Sequence, residues 1–359
     1  MLCFLAFASC YLLRTKVQYF VKNSYDLSVH LKNENYISFG DSLFLRQNSE
    51  GKPKSFYQHF STGVCFDNRC RPLDITLHWT ITGRYLGFEM PKGEFLSKTD
   101  HDPFTRKEYI QLNEILSNSD LPFREIKYHE LMNQPESSIE SVDAISGATS
   151  ERIKDFVIKN AAYTTYKIWK LAYGESQKFI EYYTDSHLNN SNLITLLDSR
   201  ERKDIIWGLL HMKDTLSFSI PLKNRLLSLI QSDDPYLSYN AVYAIPKAYL
   251  SDADFLEILF SSYLNISDAS TKNSIVRKLK SAPRLSQNLI SKSRESIFAM
   301  APQEIGSLLK IYKKHRVKDS TTIGMVRKLM NHPNAYVVKL AKDFLKNYEK
   351  SLYQTQQKL

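Results

Sequence analysis

The stretch Leu226-Leu-Ser-Leu-Ile-Gln-Ser-Asp-Asp-Pro235, followed by Tyr239-Asn-Ala-Val-Tyr-Ala-Ile245, decides how the C-terminal half of this chain folds. Apolar residues at helical spacing stand on both sides of an Asp-Pro turn, so the segment reads as helix, turn, helix. A second stretch repeats the pattern: Val326-Arg-Lys-Leu-Met-Asn-His-Pro333, then Val337-Val-Lys-Leu-Ala-Lys-Asp-Phe-Leu345. Beyond about residue 192 strand signals vanish and short amphipathic helices follow one another. Residues 254–315 have room for further degenerate pairs at irregular spacing.

These paired helices resemble the HEAT-type repeat, whose helix pairs cannot bury their apolar faces alone and so stack into a solenoid. The resemblance implies an all-α HEAT-like domain over 193–359, with a compact helical bundle as the alternative.

The N-terminal half reads differently. Ile75, Leu77, Trp79 and Ile81 alternate with Thr76, His78, Thr80 and Thr82 before Gly83, which predicts a strand, with Tyr85 to Met90 returning beside it. Asp102-Pro103 offers a helix start, and Phe104, Tyr109, Leu112, Ile115 and Leu116 follow at roughly helical spacing. A longer helix is expected from Glu151 to Tyr173, its face built from Ile153, Val157, Asn160, Ala161, Thr164, Ile168, Leu171 and Ala172, with Ser150 to cap it and Gly174 to end it. The chain therefore reads as an α+β domain followed by an all-α domain.

Between these elements lies Asp143-Ala144-Ile145-Ser146-Gly147-Ala148-Thr149. It resembles the flavinylation signature of FMN-binding domains, found in flavin-carrying subunits of sodium-pumping NADH:quinone oxidoreductase, in the Rnf complex and in exported bacterial flavoproteins. The resemblance implies an α+β FMN-binding-like domain over 21–192, with FMN held covalently through its phosphate on Thr149 by a dedicated flavin transferase. Asp143, Ser146, Gly147 and Ala148 would form the recognition segment. Over about residues 60–174 the chain is similar, more loosely, to bacterial envelope proteins that join such a domain to HEAT-like repeats, a likeness that implies an architecture and no activity.

The residues agree on physical grounds. Placed just before the expected helix, a phosphate ester on Thr149 would meet unpaired backbone N–H groups and the positive end of the helix dipole. Gly147 permits a tight backbone and Ala148 adds little bulk. The plain alternative is an ordinary turn and cap.

Met1 to Leu13 is apolar and too short to span a bilayer as a helix. Residues 1–20 read as an export or lipoprotein signal, because Phe7-Ala8-Ser9-Cys10 resembles a lipoprotein cleavage box in which Cys10 is lipidated. A buried N-terminal element is the alternative. Export would place the protein at the cell envelope, on the extracytoplasmic side, with a membrane anchor at Cys10. Cys65 and Cys70 can then pair as a structural disulfide, exchange electrons with the flavin, or stay as free or metal-bound thiols. A zinc site of Cys65, Cys70, His78 and His101 matches no compact zinc signature, and surface or capping roles suit the two histidines better. Trp79, Tyr85 and Phe88 read as strand core, with stacking on the isoalloxazine as the alternative.

Of the net charge of +10, the surplus falls in the second half, where residues 193–359 hold 26 Lys+Arg against 15 Asp+Glu. Such a field suits acidic partners or simple solubility, and no nucleic-acid motif accompanies it. No Gly-rich phosphate loop, HExxH helix or GxSxG elbow occurs, so a hydrolase or nucleotide-dependent enzyme is not supported. The expectation is an electron-transfer flavoprotein that docks an envelope or redox partner on its repeats. Its rival is a non-catalytic interaction protein whose basic repeats, including Lys313, Lys314 and Arg316, do the binding.

Overall fold

Strand β4 (Leu73–Thr80) is the axis of the first half, because it carries Ile75, Leu77 and Trp79 on one face with no exposure at all. The computed structural model describes residues 35–39, 43–64, 71–98, 101–131, 149–214 and 219–356. They form two compact units that divide between His187 and Leu188, five residues ahead of the boundary expected at 192.

In the first unit, β1 (Asn35–Phe39), β2 (Leu43–Gln47), β3 (Pro53–Thr62), β4 and β5 (Tyr85–Glu89) make an antiparallel meander in chain order. The strand pair expected over 73–90 is its last hairpin. Phe56 pairs with Trp79 and Leu77 with Phe88, so the large inward side chains meet across neighbouring strands. The hairpin turns at Gly83, whose φ of +77° favours glycine. A Cβ there would also stand 2.9 Å from Cγ of Glu181, while the Gly83 carbonyl accepts a hydrogen bond from Gln177 at 3.2 Å.

Helix α1 (Arg106–Leu116) packs on β5 and on α2 (Ala162–Ala172). Its buried stripe, Tyr109, Leu112, Asn113 and Leu116, has helical spacing. The cap is Thr105, in a reciprocal box with Glu108, rather than Asp102. Pro103 lies outside the helix, bridged to Ser97, and His101 occupies a left-handed turn at φ +62°.

The helix expected from Glu151 begins eleven residues late. Residues 151–161 are turns around a short 3₁₀ segment, Lys154–Phe156. Ile153, Val157, Ile158 and Ala161 are nonetheless buried, so the apolar pattern reported burial and not helix. Asn160 is left-handed at φ +60°, and Thr165 ties the segment down, its hydroxyl accepting from Ile158 N–H at 3.2 Å and donating to the Ala161 carbonyl at 2.9 Å. Gly174 does not end α2 directly but sits between Tyr173 and α3 (Glu175–Ser186), where a Cβ would stand 2.7 Å from the Lys170 carbonyl.

The second unit is all-α: α4 (Asn190–Leu197), α5 (Arg202–Leu210), α6 (Ile220–Ile230), α7 (Pro235–Tyr243), α8 (Ala253–Asn265), α9 (Ala269–Ser281), α10 (Gln287–Ser296), α11 (Pro302–His315), α12 (Ser320–Leu329) and α13 (Ala335–Gln356). Helices α4, α6, α8 and α10 pack in one row, and α5, α7, α9, α11 and α13 in another. The pairs α4–α5, α6–α7, α8–α9 and α12–α13 join the rows. One continuous apolar cluster runs through them from Leu193 to Ala341.

Acidic N-caps recur: Asp234 on α7, Asp252 on α8, Asp268 on α9 and Asp319 on α12 each accept from first-turn backbone N–H groups. A cation two helices upstream reaches three of them. Arg202 of α5 grips Asp234 at 2.7 and 3.0 Å, Lys223 of α6 reaches Asp252 at 2.9 Å, and Arg294 of α10 reaches Asp319 at 2.8 Å. Lys272 of α9 bonds Glu304 in the first turn of α11 in the same manner. Each clamp thus ties the starting end of a helix to the helix two before it.

Candidate functional site

Of the flavinylation segment, Thr149 alone lies within the described residues; Asp143, Ser146, Gly147 and Ala148 lie outside them, as do Cys10, Cys65 and Cys70. Thr149 is half-buried in a β-bridge conformation. The next residue fixes it, since Ser150 N–H donates to the Leu131 carbonyl at 3.0 Å, while the Ser150 carbonyl accepts from Ile153 and Lys154 N–H at 3.0 and 3.1 Å. Leu131 and Ile153 are fully buried, so the chain just after Thr149 is anchored in the core.

With α2 starting at Ala162, the helix dipole invoked for a phosphate on Thr149 is not at hand. Other positive groups are. Glu130, next to Leu131, is held below the usual carboxylate range by a hydrogen bond from Lys127 N–H, against some opposing desolvation, with His129, Arg152 and Lys127 adding their charges. Arg152 is exposed, and Lys154 pairs with Glu151 at 2.5 Å. The segments that flank Thr149 thus carry cations set beside carboxylates, Arg152 and Lys127 near Glu130 and Lys154 on Glu151.

The aromatic residues favoured by the strand pattern are not here. Trp79 is buried with its indole N–H on the Ala172 carbonyl at 2.8 Å, Tyr85 donates its hydroxyl to Asn113 at 2.9 Å, and Phe88 packs beside Tyr109. All three are core residues. A half-buried pair, Tyr128 and Tyr163, stacks at 4.6 Å and 23°, and Tyr128 opens the 3₁₀ turn that leads into Leu131, whose carbonyl takes Ser150 N–H. Tyr128 donates its hydroxyl to the Val64 carbonyl at 2.7 Å, and Tyr166 behind it donates to Ile126 at 2.7 Å. Nothing in the spacing of Tyr128, isolated between charged residues, distinguishes it from a surface tyrosine in the sequence.

His78 is also placed differently from expectation. It is fully buried, stacked against Tyr57 and 3.7 Å from Glu89, because it lies opposite Gly87, which has no side chain to fill that face. His101 is exposed in its turn, so the two histidines do not share a site. Among the described residues no group of His, Cys, Asp and Glu is arranged to hold a metal ion, and no helix is long and apolar enough to cross a membrane.

No family model matches this chain, and no curated protein or solved structure is significantly similar to it.

Proposed function

We propose that the protein is an exported flavoprotein that carries FMN as a phosphoester on Thr149 and passes electrons at the cell envelope. The observation that carries this reading is the seven-residue segment Asp143–Thr149, matched at every position of the flavinylation signature. A half-buried threonine whose following residue is anchored in the core, with Arg152 and Lys127 close by in the chain fold, supports it, since a phosphate there finds cationic neighbours without disturbing the core. FMN supplies reversible one- and two-electron transfer, while the protein's part is to hold the group and tune its potential by nearby hydrogen bonds and charge. A flavin transferase is the maturation partner, and Cys10 is the proposed anchor point.

The second unit is proposed to be a HEAT-like solenoid that docks a redox or envelope partner. Its two rows of helices, each packed on the next but one, support that reading. The basic surplus of residues 193–359 favours the rival reading, a non-redox interaction protein in which the first unit is only a platform.

The test is to co-express the full chain with a flavin transferase and run it denatured on a gel. Yellow fluorescence in the wild type that vanishes in Thr149→Ala, with an intact mass raised by one FMN moiety, is expected. A colourless, unmodified wild type rejects the redox reading.

A further inference from the structure

The turns that follow α9 and α11 line a cleft of about 780 Å³ in the second unit. Five cations surround it: Lys280 and Arg284 from one turn, Lys314, Arg316 and Lys318 from the other. Its floor is apolar, built from the buried side chains of Ala282, Ile290 and Val317.

Cations at helix C-termini ordinarily serve the helix dipole or its last carbonyls. Here a histidine takes one such carbonyl of α9, and the neighbouring lysine serves the end of α7. Lys278 donates to the carbonyls of Tyr243 and Ile245 at 2.9 and 2.8 Å, and His315 Nε2 bonds the Leu279 carbonyl at 2.8 Å, tying the end of α11 to the end of α9. The carboxylate lining the cleft, Asp319, is already held by Arg294 at 2.8 Å and by Thr322 N–H and hydroxyl at 3.0 and 2.7 Å. Among the described residues, none of the five rim cations has an ion pair or a hydrogen-bonded carbonyl. Arg316 further adopts a left-handed backbone, φ +53° and ψ +37°, just past the last turn of α11, a position that glycine fills with less strain. That left-handed turn closes the helix, with Val317 N–H on the Tyr312 carbonyl at 2.9 Å, so the feature a ligand would explain is the unneutralised charge of the cleft.

We propose that this cleft binds a compact, multiply charged phosphate group, of the density of a pyrophosphate or triphosphate. A single carboxylate would leave most of the five charges unneutralised, whereas two guanidinium forks and three ammonium groups match several phosphate oxygens at once. The volume is that of a small-ligand site. No Phe, Tyr or Trp lines the cleft, so it has no platform for stacking bases and does not suit single-stranded nucleic acid. The phosphates can belong to a free solute or to a lipid headgroup, and the two sources share this chemistry. The site is independent of Thr149 and stands whether or not flavin is attached.

The test uses the full chain and inorganic tripolyphosphate, followed by calorimetry, together with sedimentation on phosphatidylcholine vesicles with and without phosphatidic acid. Wild type is expected to bind tripolyphosphate, more weakly as salt rises, with Arg284→Gln and Arg316→Gly each lowering affinity about tenfold or more. Arg316→Gly is also expected to raise the melting temperature, because glycine relieves the left-handed strain, a combination that simple misfolding does not produce. Sedimentation by phosphatidic acid that these variants abolish assigns the phosphates to a lipid; binding to tripolyphosphate alone assigns them to a solute. The proposal is overturned if neither probe binds, or if Lys342→Gln, outside the cleft, weakens binding as much as the rim substitutions.

Discussion

At the scale of single residues, the structure turns on polar groups that are buried with a partner. Tyr312 of α11 is fully buried and shares a 2.6 Å hydrogen bond with Ser293 of α10, whose own hydroxyl donates to the Ile290 carbonyl at 2.8 Å. The tyrosine hydroxyl is therefore the donor between them. Burial pushes that phenol up to about 12, so it remains protonated at any ordinary pH. The two truncations are not equivalent. Tyr312→Phe removes a donor and leaves Ser293 bonded to Ile290, at a cost of about 1 kcal/mol; Ser293→Ala strands a buried hydroxyl and should cost about 1–3 kcal/mol. Chemical denaturation of both variants checks the order, and a larger loss in Tyr312→Phe would show that the donor assignment is mistaken. The same scale explains where sequence reading failed. His78 follows the polar side of the β4 alternation yet is buried, because Gly87 opposite leaves room and Tyr57 covers it, a fact carried by two other strands. The stacked pair Tyr128 and Tyr163 was not legible, since stacking between residues 35 positions apart has no local signature.

At the scale of elements, the Asp234-Pro235 turn was legible at its residues, whereas Asp102-Pro103 marked a helix whose cap lies three residues on, at Thr105, and the apolar spacing from Ile153 marked burial without helix. Asp234-Pro235 ends one helix approach and begins α7, as the pattern required. Ile153, Val157 and Ala161 have helical spacing too, but β-branched residues and the left-handed Asn160 let the segment bury them in turns instead. Strands β1, β2 and β3 escaped notice; β3, ten residues long, buries the adjacent Ser55 and Phe56 and leaves the rest half-buried or exposed, so no strict alternation marks it. The clamps between helices of a row were equally hidden: their partners are 25 to 32 residues apart with no fixed period. Ion pairs of this unit, the clamps and the surface pair Lys247–Asp214 alike, differ in worth by their burial. The side chains of Lys223 and Asp252 are 15% and 20% exposed, against 86% and 50% for Lys247 and Asp214. A double-mutant cycle of Lys223→Met with Asp252→Asn, which keeps a capping side chain, is expected to give a coupling on the order of 1 kcal/mol. The cycle of Lys247→Met with Asp214→Asn should give roughly zero. Equal couplings would mean that the row is held by apolar packing alone.

At the scale of the whole molecule, charge ties the caps to acid stability. The hydrogen bond from Arg202 holds the Asp234 carboxyl below its ordinary range, and the Thr271 hydroxyl and N–H do the same for Asp268. Burial pushes Asp252 and Asp319 upward, but hydrogen bonds from Lys223 and Phe255 N–H, and from Thr322, outweigh it, so both also lie low. A carboxyl whose folded value is depressed contributes stability that is fully present above its unfolded value, about 3.9, and is lost as pH falls through the folded one. These four caps in the unit Leu188–Leu359 act in the same direction, as do Asp214, Glu257 and Glu304, which are also held low. Protonation also removes the negative charge that offsets a chain already at +10, so self-repulsion grows over the same range. Thermal melts of the full chain by far-UV circular dichroism should change little between about pH 7 and 5 and fall steeply by about pH 3. Asp268→Asn keeps a capping side chain but cannot titrate, so its melting temperature should lie below wild type near neutrality, fall less over that acid range and approach wild type near about pH 3. An identical acid slope in the variant would assign the loss to general charge repulsion and not to the caps.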